Sequence, residues 1–99
     1  MKALLTCLYA LLAAAASAQA ETRVQKLQYI KDITGVSCSA DALAMHNTPN
    51  GAVVRAIPKA SVTILQGQVD GAGNSWVYVK DDRTRKEVGW ARLLDLSCI

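Results

Sequence analysis

The stretch SWVYVKDDRTRKEVGWARLL, residues 75–94, has a tryptophan near each end of what reads as one β-hairpin. Side chains alternate along a strand, so Val77 and Val79 share one face while Trp76, Tyr78 and Lys80 share the other. Lys80 marks the second face as the solvent side. Val77 and Val79, with Ala91 on the return arm, are therefore expected inside, and Trp76 and Tyr78 near the surface. Asp81 to Lys86 forms the tip, where the adjacent acids Asp81 and Asp82 are expected to point into water.

Turn chemistry punctuates the residues before this hairpin. Ala42 to His46 reads as a strand ended by Asn47-Thr48-Pro49-Asn50-Gly51, since Asn-Gly and Pro both favour turns. Val53 to Ile57 follows and Pro58 stops it. Ser61 to Gln66 is rich in β-branched residues, with Val62 and Ile64 inward and Leu65 near the rim; Asp70 to Asn74 reads as a loop. Leu93 to Ile99 reads as one turn and a last short strand. Glu21 to Lys31 fits one or two helical turns about as well as an extended arm. Five to six short strands without a long helical pattern predict an all-β fold. At this size a small barrel is favoured, because closure leaves fewer exposed edges.

The first residues have a different character. Met1-Lys2 is a short positive start, Ala3 to Ala16 is apolar apart from Thr6, and Ala18-Gln19-Ala20 has the small residues of a signal-peptidase site. The expected organisation is a cleaved signal peptide over 1–20, a lead-in segment over 21–32 and one domain over 33–99. No other stretch is apolar and long enough to span a bilayer. Lys2 is the one charged residue in the first twenty, so nearly all of the 11 Lys+Arg and all 8 Asp+Glu remain after cleavage. So slight a basic excess implies no polyanionic partner. Of the 3 cysteines, Cys7 leaves with the signal, and Cys38 and Cys98 remain. An even count in an exported chain predicts a disulfide. Closing a loop of about 60 residues would contribute on the order of 4 kcal/mol in the chain-entropy model. Two cysteines so far apart, with the single His46, form no recognisable metal site, and no cofactor is expected.

With these residues in view, the chain resembles the bacterial SH3 (SH3b) family over residues 33 to 98. Ile33-Thr34-Gly35-Val36 matches the family's lead-in strand ending in T-G-V. Leu43-Ala44-Met45-His46-Asn47-Thr48-Pro49 matches its L-N-V-R-x-G-P signature loosely. Val53-Val54-Arg55 through Val62-Thr63-Ile64-Leu65 corresponds to the next two strands. Trp76 and Val79 fall on W-x-x-V, and Gly89-Trp90-Ala91 falls on G-W-V. Ala44, His46 and Thr48 replace the family's Asn, Arg and Gly, and Asp95 stands where many members have tyrosine, so the chain is similar to a divergent member. The resemblance implies an SH3-like barrel whose first and last strands are neighbours. That brings Cys38 and Cys98 together and favours the same disulfide.

Function is expected to be binding and not catalysis. No serine or cysteine near His46 completes a nucleophile motif, and His46 is expected to be a surface or half-buried residue. Trp76, Tyr78 and Trp90 are the candidate contact residues, since large amphipathic rings suit sugars, peptides and protein partners. Arg83, Arg85 and Arg92 are candidates for pairing with carboxylates, although the tip they flank serves first as a solubilising end. Nucleic acid is disfavoured by the low net charge and by the lack of aromatics along a basic groove. The resemblance implies peptidoglycan or its peptides as ligand, in the periplasm or outside the cell. The alternative is a protein-interaction or inhibitory accessory subunit of an extracytoplasmic enzyme or envelope complex.

Overall fold

The computed structural model describes residues 22–98. The expected signal segment, with Cys7, lies outside the described residues. The lead-in is helical: α1 spans Arg23–Ile33. The Thr22 hydroxyl accepts from the Gln25 amide at 3.1 Å, and the Gln25 side chain accepts from the Thr22 amide at 2.9 Å. This reciprocal capping box satisfies two of the donors that a helix start leaves unpaired. At the other end Gly35 takes a φ of 87°, which turns the chain out of the helix. Ile33, which the resemblance assigns to a lead-in strand, is thus the last helical residue.

Four antiparallel strands follow: β1 (Ser37–His46), β2 (Val53–Val69), β3 (Ser75–Asp81) and β4 (Glu87–Arg92). Each pairs with the next, and His46 of β1 meets Trp90 of β4, which closes the ring. A 3-10 turn, Leu93–Asp95, leads to Ser97, which exchanges two backbone hydrogen bonds with Ser39 at 3.0 and 2.8 Å. The expected last strand is thus a turn and one bridge.

The all-β fold expected from the sequence is corrected to a mostly β one with a single α-helix, and the count of five to six strands is corrected to four. Val53–Ile57 and Ser61–Gln66 are one strand of 17 residues. Pro58 does not stop it. Instead, Pro58 and Lys59 bend it, with Lys59 at a φ of 47°. Pairing with β1 keeps its register through the bend, from Ala40 opposite Ala60 to Ala42 opposite Pro58. Both strands change their inward phase there. In β1 burial passes from Cys38 to Leu43 and Met45, and in β2 from Ile57 to Ala60, Val62 and Ile64. A second irregularity, between Ile64 and Gln66, shifts β2 again before Val69. One strand therefore lines two walls of the barrel.

The interior is formed by Leu43, Met45, Val62, Ile64, Val77 and Val79, all fully buried. Each contributes roughly 1.5–3 kcal/mol by leaving water. Helix α1 adds Ile30 and Ile33 to this cluster. Gly67 makes that possible: a Cβ there would stand 2.5 Å from Ile30 Cγ2 and 2.7 Å from the Trp76 carbonyl oxygen.

Cys38 and Cys98 are joined by a disulfide with their Cα atoms 4.5 Å apart, as expected. The bond adds a covalent link next to the Ser39–Ser97 bridge. Disulfides persist in oxidising compartments, so this one points to a location outside the cytoplasm. Among the described residues no helix is long and apolar enough to cross a membrane.

Candidate ligand surface

The outer face of β3 and β4 carries the aromatic residues singled out in the sequence, and it treats them differently. Trp76 is only 3% exposed. This corrects the expectation of a surface pair with Tyr78. Strand alternation puts Trp76 outside the barrel, but the Asp70–Asn74 loop and His46 form a second layer over it. The His46 and Trp76 rings meet edge to face, with centroids 4.9 Å apart. His46 Nδ1 lies 2.9 Å from the Gly51 carbonyl oxygen. A carbonyl only accepts, so Nδ1 carries the proton in that contact.

Asp70 is the centre of this layer. One carboxylate oxygen accepts from the Ala72 and Asn74 amides, both at 2.9 Å. The other accepts from the Trp76 indole at 3.0 Å, from the Asn50 side chain at 2.8 Å and from the Asn74 side chain at 3.3 Å. The Asn74 amide, the Trp76 indole and the Asn50 amide hold the carboxyl far below its ordinary range, against a smaller opposing effect of burial. Helix α1 secures the loop from the far side. Arg23 donates to the Val69 and Asp70 carbonyls at 2.6 and 2.7 Å, and Lys26 Nζ donates to the Gly73 carbonyl at 2.6 Å.

Tyr78 and Trp90 form the open part of the surface. They are opposite each other across β3 and β4, both half-buried, with ring centroids 5.4 Å apart and planes tilted by 55°. Gly89 fixes the approach of β4: its φ is 132°, and a Cβ there would meet the His46 carbonyl oxygen at 2.9 Å. Arg92, two residues beyond Trp90, leaves the same face of β4 and is exposed.

Arg83 and Arg85 do not join this surface. They sit at the hairpin tip, more than about 10 Å from Tyr78 at roughly 3.3 Å per strand residue. Arg83 donates to the Lys59 carbonyl at 2.9 Å, which ties the tip to the bend in β2. Arg85 completes the turn with a φ of 60°, and its backbone N–H donates a hydrogen bond to the Asp81 carbonyl at 2.7 Å. The acids of the tip also depart from expectation. Asp81 is 6% exposed and accepts from the Arg83 amide at 2.9 Å. Asp82 accepts from the Thr63 hydroxyl, from the Ser37 hydroxyl at 2.7 Å and from the Ser61 hydroxyl at 2.9 Å. Those bonds, Thr63 and Ser37 foremost, lower its carboxyl below the ordinary value. Both acids are structural acceptors.

The Asp70 layer is the feature that sequence reading missed. Its signal was an Asp-Gly loop placed just before a strand whose second residue is tryptophan. Among the described residues no group of three or more His, Cys, Asp or Glu could hold a metal ion. Comparison of the chain with protein-family models, with curated proteins and with solved structures finds no match to any of them.

Proposed function

We propose that this protein is an exported, non-catalytic binding module with an SH3b-like barrel, and that it binds cell-wall peptidoglycan or its peptides. The observation that carries the reading is the half-exposed Tyr78–Trp90 pair at 5.4 Å, held on the outer face of a disulfide-closed β barrel. Two adjacent rings form a rigid amphipathic platform for a sugar ring or a peptide. Arg92, on the same face, offers a planar donor for a carboxylate. The bent β2 supports the SH3-like reading, because one strand serves two walls and does the work of two of the expected short strands. The A-x-A site before Glu21 and the Cys38–Cys98 bond both favour the periplasm or the exterior of the cell.

The test is retention on purified peptidoglycan. The oxidised protein is expected to co-sediment at low salt, and Trp90→Ala is expected to reduce retention about tenfold while the protein stays folded. Absence of retention in the unaltered protein would defeat the wall-binding reading.

A second reading is an accessory or inhibitory subunit for an extracytoplasmic protein. It is favoured by the exposed Val53 and Val54 at the start of β2, 57% and 55% open to solvent. Crosslinking that recovers one discrete envelope protein, with loss on Val54→Asp, would support it over wall binding.

A further inference from the structure

A groove of about 540 Å³ runs between α1, the β2–β3 loop and the exit from β4. Lys26 and Tyr29 line it from the helix, Gly73 to Ser75 from the loop, and Arg92 to Leu94 from the far side. The volume lies in the range of small-ligand sites. None of the sequence-derived expectations placed a site here, and only Arg92 is shared with the Tyr78–Trp90 face.

The geometry points to a receptor for the C-terminal carboxylate of a peptide whose last side chain is apolar. Charge is the first argument. Two cations line the groove, and among the described residues no carboxylate shares that lining. The Arg92 guanidinium is exposed at one wall and presents the planar fork that matches a carboxylate. Lys26 gives one of its three donors to the Gly73 carbonyl, which fixes the ammonium beside the β2–β3 loop and leaves two donors.

Apolar surface is the second argument. Leu94 is 83% exposed and Tyr29 is 45% exposed, and both line the groove. With Leu93 they offer cover for one aliphatic side chain, and too little for a long acyl chain. Ser75 and Asn74 supply the remaining polar edge, suited to the amides of an extended peptide. The walls are set in place beforehand. Asn74 is held by Asp70, Lys26 by Gly73, and α1 by its capping box and the burial of Ile30 and Ile33.

The experiment titrates the oxidised full chain, followed by backbone amide NMR, with N-acetyl-Ala-Ala-Leu as free acid and as C-terminal amide. The acid is expected to move signals of Tyr29, Gly73 to Ser75 and Arg92 to Leu94, and the amide to bind about tenfold more weakly. Arg92→Gln is expected to lower affinity for the acid to that for the amide. Leu94→Ser, at a side chain with little packing to lose, is expected to weaken acid and amide alike. Equal binding of acid and amide, or no movement of groove signals at millimolar peptide, would overturn the inference. So would decanoate binding to the same residues more tightly than the peptide acid, since the occupant would then be a lipid. Arg92 is common to both surfaces, so the two readings are separated by Trp90→Ala, which is expected to reduce sedimentation with peptidoglycan and to leave the preference for acid over amide unchanged.

Discussion

Protonating Asp70 would weaken its hold on the Trp76 indole, the Asn50 side chain and the Ala72 and Asn74 amides, since the carboxyl loses its charge and gains a donor among five others. Its folded carboxyl is held well below the ordinary value of 3.8, so near and below that value the unfolded chain binds a proton that the folded chain refuses. Stability contributed by this group is therefore complete above the ordinary value and is lost as pH falls toward the folded one. Asp82 acts in the same direction. The unfolding midpoint in urea is expected to fall steadily below about pH 4, and Asp70→Asn is expected to flatten that fall. Trp76→Ala is expected to cost about 3–5 kcal/mol, as for other large buried aromatics. Trp90→Ala is expected to cost about 1 kcal/mol in the same urea titration. That ordering separates the two tryptophans, which the sequence presents as equals. Alternation assigns each to the outer face. It does not say that His46, 30 residues earlier, and a loop anchored by Asp70 will cover one of them and leave the other open.

Among the elements, β3 and β4 were legible because period-two patterning acts locally, and Val77, Val79 and Ala91 are inside as expected. β2 was less so. Proline usually ends a strand, but here it stands at a bend where both β1 and β2 exchange inward faces, and the register survives. That exchange depends on two strands at once and leaves no mark in either alone. Helix α1 had a readable signal, the capping pair Thr22 and Gln25, while its apolar spacing alone was ambiguous. Its docking depends on Gly67. Gly67→Ala is expected to cost about 1–3 kcal/mol, because Ile30 or the neighbouring backbone must move. Amide exchange should show the loss concentrated in α1 and the Asp70–Asn74 loop. Uniform weakening of all four strands would contradict that placement.

For the whole molecule, the ring is closed by few bonds. β1 meets β4 at one residue pair, and the Ser39–Ser97 bridge and the Cys38–Cys98 bond extend that seam. Replacing both cysteines by serine is expected to lower stability by up to about 4 kcal/mol, read as a lower denaturant midpoint with a steeper slope, because the denatured chain is less compact without the cross-link. Mass measurement checks the bond itself: the oxidised chain should be lighter than the reduced one by two hydrogens. The pairing was legible because the sequence offered only these two cysteines to the domain expected after residue 20. The bridge that accompanies it was not, since one residue pair has no pattern.

The position of Cys98 also sets an order of events. It follows every strand of the barrel, at a separation of 60 residues from its partner. As the chain is made from its amino end, Cys38 waits as a thiol while β2, β3 and β4 are still being added. Oxidation then marks a completed barrel, and a chain halted before residue 98 lacks the partner that Cys38 has in the fold. Thiol labelling of newly made protein would sort chains with a completed barrel from those interrupted within it.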